Sequence, residues 1–423
     1  MKTQTLIFSL SLSLTGFAVA ENWPQFHGPN LDRTSAETGL PTEWSATENL
    51  KWQLKLPGEG ASCPIIWGDA AFVTTFTGEG ASVERHLVRI DVKSGEVVWQ
   101  KTIPAWHPED DYKGYITEHG YASNTPVTDG ERVYCFFGKG GVYAFDFSGN
   151  EIWKAETGSQ SSKQKWGSAA SPILYDGKLI VPAGDEARAI FAFDAVTGKE
   201  LWKAEGDRLA ASYGSPVIMK VDNERTDIIF SMQQEVWGIN PSNGKLRWFA
   251  EYDLPGNMSN TPSIVGDVIT ISGGFPRTAR VAVKGGGKGD MTASVLYDTQ
   301  KPTTYMTAPV SHDGLLYWVS DSGIAFAAKP GEAEEIWQER VPGLDGAGGR
   351  GKPFYASPIL ADGKIYAVSR ANGVFVIEPS EEGLKVIAQN KIKGDDSLFN
   401  ASISIADGKI YLRSAKVLYC IGS

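Results

Sequence analysis

An all-β fold, an eight-bladed β-propeller of four-stranded antiparallel blades, is what this 423-residue chain predicts. Three observations carry the expectation. A Pro and Asp-Gly hairpin signature returns along the chain, a Gly-then-Trp signature follows each copy, and the copies recur about every 46 residues, a period typical of propeller blades.

The first signature is a small residue, then Pro, a short strand and a tight turn. It stands at Thr125-Pro126 with Asp129-Gly130, Ser171-Pro172 with Asp176-Gly177, Ala308-Pro309 with Asp313-Gly314, and Ser357-Pro358 with Asp362-Gly363. Inverted turns follow Pro64 (Gly68-Asp69) and Pro262 (Gly266-Asp267). Pro216 leads into a longer hairpin through Asp222-Asn223, and the last copy, Ala401-Ser402 with Asp407-Gly408, has Ser in place of Pro. Proline opens a strand without cost because the first residue need not donate to the ladder. Asp-Gly between apolar runs adopts the positive φ angles of a two-residue hairpin.

The second signature is clearest in A-F-D-A-V-T-G-K-E-L-W (192–202) and G-I-N-P-S-N-G-K-L-R-W (238–248). An Asp or Asn caps the turn, Gly takes the left-handed position, and Trp sits on the outgoing strand. The Trp positions are Trp52, Trp99, Trp153, Trp202, Trp248 and Trp337, with Tyr297 and Val386 in the degraded copies, which makes eight blades. These indoles are expected to dock one blade on the next. Trp52 precedes the first hairpin and the chain ends on a third strand. Strand 50–56 is therefore expected to complete the blade begun at Ala401, closing the ring and hiding its edges.

The expected organisation is a signal peptide at 1–20, an N-terminal extension at 21–49 and the propeller at 50–423. Lys2, an apolar run over 6–17 and Ala18-Val19-Ala20 have the form of a secretory signal cleaved after Ala20. The run is shorter than the roughly 20 residues a membrane span needs, so a periplasmic or secreted protein without a span or lipid anchor is expected. The formal charge of −10 becomes −11 once Lys2 is removed. An acidic chain without Lys/Arg clusters argues against nucleic acid as a partner. Cys63, Cys135 and Cys420 are an odd number, which leaves at least one thiol unpaired; Cys135 and Cys420 lie in strand-like contexts, and buried thiols are expected, with a disulfide or a reactive thiol at Cys63 as the alternatives.

The A-x-D-x-x-T-G-K-x-x-W pattern resembles the tryptophan-docking repeat of the quinoprotein alcohol dehydrogenase-like superfamily. Within it the chain is similar to PQQ-binding-like β-propeller repeat proteins and to proteins like the outer-membrane protein assembly factor BamB. The opening W-P-Q-F-H-G-P (23–29) and D-D-S-L-F-N-A-S (395–402) resemble exported propellers of this kind. The resemblance implies the architecture over about residues 50–423. Quinoprotein dehydrogenases stack their cofactor between a Trp and a disulfide of adjacent cysteines, and here no two cysteines are adjacent. The assembly factor is a lipoprotein, and this chain has no cysteine at the expected new N-terminus.

Function is read from the loops that enter each blade and from its middle turn, which together form a funnel mouth. They supply His119, Asn124, Lys139, Trp166, Tyr213, Asn260, Arg277, Asp321, Tyr355, Arg370 and Asn400 as candidate ligand-binding residues, with no catalytic residue and no metal ligand identified. The longest entering loop, 101–124, carries His107, Glu109, Asp110, Asp111, Glu118 and His119 among aromatic residues. It is expected to be a solvated acidic loop, with a lid or a mixed metal site as alternatives. The Gly-rich run 285–290 lacks phosphate-loop spacing and reads as a flexible hairpin.

The expectation is a monomeric, non-catalytic binding or scaffold propeller that offers its face to a protein, peptide or glycan, without a cofactor. A dehydrogenase using PQQ and Ca²⁺ is the first alternative, and a carbohydrate lyase or hydrolase the second.

Overall fold

A computed structural model describes residues 21–254, 256–301, 303–344 and 352–423. The expected signal segment lies outside the described residues. Eight sheets follow one another around a ring. The first blade is built from Ile65–Trp67, Ala70–Thr77, Glu84–Asp91 and Val97–Ile103. Six more follow in chain order, ending with Lys385–Asn390. The eighth takes Ser404–Ala406, Lys409–Arg413 and Val417–Ile421 from the C-terminal end and Leu50–Lys55 as its outermost strand. That closing strand is antiparallel, with Trp52 opposite Cys420 and Lys55 opposite Val417. The ring closes as the sequence predicts.

Burial follows strand position. Second strands are covered on both faces, so Leu315–Val319 is buried throughout and reads as one apolar run. Fourth strands form the rim and alternate, as in Glu335–Arg340. The cores lie between blades: one cluster joins Val217, Ile229 and Trp248 of the fourth blade to Ile269, Val281 and Val283 of the fifth.

The turns obey the expected chemistry with one exception. Asp176, Asp313, Asp362 and Asp407 all have φ near +50°, each followed by a positive-φ glycine. Asp129 stays out of the left-handed region. Its carboxylate instead accepts the N–H groups of Glu131 and Arg132, at 2.9 and 2.6 Å, and Gly130 alone turns left-handed.

Five indoles reach across blade boundaries. Trp52, Trp99, Trp153, Trp202 and Trp337 donate their N–H to the carbonyls of Val92, Phe147, Ala195, Pro241 and Ser380, at 2.8–3.0 Å. Each acceptor lies in the following blade's turn between its third and fourth strands. The glycine of that turn leaves room for the ring: a Cβ at Gly198 would come within 2.5 Å of Trp153, and one at Gly244 within 2.5 Å of Trp202. A β-bulge interrupts the third-to-fourth strand register beside this position in all eight blades.

Trp248 packs in the core between the fourth and fifth blades but bonds differently from the other five indoles. Its N–H donates to Asp227 of its own blade at 2.8 Å. The fifth blade lacks the short turn that would accept it, and its glycine-rich hairpin runs alongside instead. Gly289 and Asp290 pair parallel to Trp248 and Phe249. Arg225 grips the carbonyls of Gly286 and Gly287 at 2.8 and 2.7 Å, so this hairpin is held rather than loose.

Residues 21–49 are bound to the ring. Trp23 bridges Ile66, Thr34–Ser35 runs parallel beside Leu360 and Ala361, and Trp44 stacks on Tyr366. Arg33 and His27 are buried at the axis. Arg33 donates to the Pro309 carbonyl at 2.8 Å and the Ser263 hydroxyl at 2.7 Å, and sits 3.1 Å from His27 Nδ1. Among the described residues no helix is long and apolar enough to cross a membrane.

Candidate functional site: a capped chamber on the propeller axis

In every blade but the seventh, where Thr34–Ser35 pairs beside it, the innermost strand is a sheet edge, so the N–H at its start lacks a ladder partner. The residue before Pro solves this between blades. The N–H of Cys63 donates to the Thr125 hydroxyl at 2.9 Å, Thr125 to Ser171 at 3.0 Å, Ser171 to Ser215 at 2.8 Å, and Ser215 to Thr261 at 3.1 Å. Ala308 donates to Ser357 at 3.0 Å. The result is a girdle of hydroxyl groups around the axis. Sequence reasoning treated these residues only as small; the signal it passed over was the recurrence of Ser or Thr at that one position. Cys63 lines the same girdle, where burial pushes its thiol up to about 11 and leaves it protonated. All three cysteines are free and buried.

The girdle surrounds a cavity of about 140 Å³. Tyr115, His119, Trp166, Tyr213, Tyr305 and Tyr355 wall its upper part, and Phe26 of the N-terminal segment reaches it from the opposite face. Tyr115 lies 4.5 Å from Trp166 and 5.7 Å from Phe275, centroid to centroid; Phe275 lies 5.7 Å from Tyr305. Tyr115 belongs to loop 104–124, so that loop caps the cavity.

The expectation of a solvated loop is corrected here, because Glu109, Asp110 and Glu118 are anchors, while Asp111 stays exposed. Glu118 accepts from Arg370 at 2.6 Å, Asp110 pairs with Lys139 at 3.1 Å, and Glu109 pairs with Arg85. His119 ties the loop to the third blade, with Nε2 3.0 Å from the Trp166 carbonyl and Nδ1 2.5 Å from the Ser123 hydroxyl. Burial lowers its pKa to about 4, so the ring is neutral. The carbonyl can only accept, which places the proton on Nε2. Among the described residues no group of three or more His, Cys, Asp or Glu could hold a metal ion.

Of the sequence candidates, His119, Trp166, Tyr213, Tyr355 and Asn400 line the chamber. Arg370 stands directly behind them, over the Tyr355 ring at 4.0 Å and 2.8 Å from Asn400 Oδ1. Asp321 is a layer further out, accepting the Tyr305 N–H at 3.0 Å and pairing with Lys352 at 2.7 Å. The others fall elsewhere. Asn124 donates to the Ala170 carbonyl at 2.7 Å and Asn260 to that of Thr307, so both Nδ2 groups are committed between blades. Lys139 belongs to a neighbouring polar pocket, and Arg277 is exposed on its turn. Sequence reasoning did not find Phe26 as a wall residue, since it lies outside the repeats.

The polar pocket lies beside the chamber and contains Arg85, Lys139, Glu109, Asp110, Asp185 and Glu186. Glu186 is fully enclosed, and desolvation first, then the neighbouring Asp185 charge, push its pKa up to about 8. A carboxyl that holds its proton more tightly folded than unfolded (about 4.3) makes stability fall as pH rises from the lower value to the higher. Glu186→Gln is therefore expected to flatten this decline and, near pH 8, to unfold later than the wild type by an amount on the order of a few kcal/mol. Parallel denaturant curves from pH 5 to 9 check it; identical pH slopes in the two proteins would contradict it.

The fold and its axial chamber define a propeller of the quinoprotein-like class. The family model described as "Outer membrane protein assembly factor BamB" matches residues 83–339, and the chain belongs to that family. A polyvinylalcohol dehydrogenase of a Pseudomonas species is 23% identical over 345 residues, covering 70% of this chain and 47% of the relative. The chain thus spans about half the length of that curated relative. Among solved structures, BamB from Moraxella catarrhalis aligns with a TM-score of 0.59 at 13% identity, over 88% of this chain and 99% of the other. A europium-containing methanol dehydrogenase aligns at 0.63 and 11% identity, over 93% and 89%. At such identities these two show the fold.

Proposed function

We propose that this chain is a propeller, working outside the cytoplasm, that takes one small ring-containing molecule into its capped axial chamber. The observation that carries this is the chamber itself: aromatic walls, a hydroxyl girdle and a volume of about 140 Å³. An apolar cavity of roughly this size, about 150 Å³, accommodates benzene. Convergent aromatic and polar groups in a concavity are the usual mark of a small-molecule site.

The relatives' names favour the oxidoreductase alternative over the non-catalytic scaffold expected from the sequence, and oxidation of an alcohol is the second reading. The quinone cofactor of that class is PQQ. PQQ is a fused three-ring tricarboxylate, larger than the one ring the chamber holds with loop 104–124 seated. Three nearby cations already have carboxylate partners, Arg370 with Glu118, Lys139 with Asp110 and Lys352 with Asp321, and among the described residues no group of three or more His, Cys, Asp or Glu could hold the Ca²⁺. In this arrangement the residues present do not fit PQQ with Ca²⁺, and we assign them no step in its chemistry. The carbohydrate hydrolase alternative lacks its paired acids, since no Asp or Glu lines the chamber among the described residues.

Calorimetric titration separates these readings. The chamber reading expects benzyl alcohol to bind one to one, and PQQ with Ca²⁺ to give neither submicromolar binding nor dye-linked alcohol oxidation. Submicromolar PQQ binding with turnover would replace it by the oxidoreductase reading.

A further inference from the structure

Building on the chamber reading, we propose that the ligand is an aryl carboxylate: its ring enters the chamber and its carboxylate replaces Glu118 on Arg370 and Asn400. The capping loop itself outlines that molecule. On one short turn, Gly114–Glu118, Tyr115 places a phenol ring against Trp166 and Phe275 while Glu118 places a carboxylate on Arg370. Ring and carboxylate from a single short segment occupy two adjoining features of the rigid ring.

The receiving groups are fixed by the blades. Arg370 is wholly buried, its guanidinium carbon lies over the Tyr355 ring at 4.0 Å, and its Nε donates to Asn400 Oδ1 at 2.8 Å. Its Nη2 meets Glu118 Oε2 at 2.6 Å, and Asn400 Nδ2 donates to the Glu118 backbone carbonyl at 2.5 Å. Tyr355 and Asn400, the two residues that Arg370 touches, both line the chamber, which brings the fork to the chamber wall. The Glu118 carboxylate comes from a surface loop 252 residues away in sequence.

Exchange is what makes the site selective. Stripping the partner from a buried guanidinium leaves an uncompensated charge, which is strongly unfavourable. A neutral ring gains the aromatic contacts but leaves Glu118 in place. A ring bearing a carboxylate trades one charge-assisted contact for another, and the guanidinium fork matches the planar geometry of a carboxylate. Loop 104–124 then reseats over an occupied chamber.

The test compares benzoate with benzyl alcohol by calorimetry on the full chain, in the wild type, Glu118→Gln and Arg370→Gln. In the wild type benzoate is expected to bind about tenfold tighter or more. Glu118→Gln removes the internal competitor and tightens benzoate by about a further tenfold. Arg370→Gln brings benzoate down to the level of benzyl alcohol. Equal affinities in the wild type, or a preference for benzoate that persists in Arg370→Gln, would overturn the carboxylate assignment while leaving the chamber reading intact. Should Arg370→Gln not fold, Glu118→Gln alone decides: unchanged benzoate affinity refutes the proposal. If neither compound binds any of the proteins, the chamber reading itself falls.

Discussion

Deleting residues through Leu56 is expected to abolish the folded monomer. The strand Leu50–Lys55 supplies the outer edge of the eighth blade, and its loss exposes Val417–Ile421 as an unpaired edge while removing Trp52 from its seat on the first blade. An open edge of that kind is a template for aggregation. Deletion only through Asn49 retains the closing strand and is expected to leave a folded but weaker protein. The weakening will be more than a disposable extension would give, because Trp23, Arg33 and Trp44 are all buried against the ring. Size-exclusion profiles and thermal unfolding of the two truncations check this. Equal melting temperatures would show that the ring does not depend on its closing strand.

The second large effect concerns the indoles. Trp153→Ala and Trp202→Ala each remove a buried ring, an N–H bond to the neighbouring blade and the partner surface of a turn glycine. Aromatic-to-Ala changes in a core cost roughly 3–5 kcal/mol. Both should lower the urea midpoint with little change in slope, since the folded architecture is kept. Trp248→Ala is expected to cost as much by a different route. It empties a fully buried site and leaves Asp227 to Arg225 and Arg247 alone. Unchanged midpoints in all three would mean that these side chains do not hold the blades together.

What could be read from the sequence was what is local. A hairpin turn is decided by two residues, and Asp176-Gly177 or Asp407-Gly408 declare their geometry wherever they stand. A Trp that follows a Gly turn by four residues announces a blade edge for the same reason. Asp129-Gly130 shows the limit: the same dipeptide turned differently because the Asp129 carboxylate was taken by Glu131 and Arg132 N–H groups. Trp248 shows another, since its acceptor depended on a turn in the next blade that had been replaced by a glycine-rich hairpin.

The site was legible only in part. His119, Trp166, Tyr213, Tyr355 and Asn400 came from equivalent loop positions, and the ring's symmetry carried them to one chamber. Glu118 and Arg370 meet because the ring closes, which no local period encodes. Phe26 arrives from a segment outside the repeats altogether. Acidic composition suggested solvent for loop 104–124, yet buried cations on the blades draw Glu109, Asp110 and Glu118 inward.

The most direct measurement of the central claim is a crystal structure of the protein soaked with 4-bromobenzyl alcohol, its bromine located by anomalous scattering. The chamber reading predicts a single strong peak on the axis, beneath Tyr115 and within van der Waals contact of Trp166 or Tyr305. Bromine found only on the outer faces of the blades, with the axial chamber empty of it, would contradict the account.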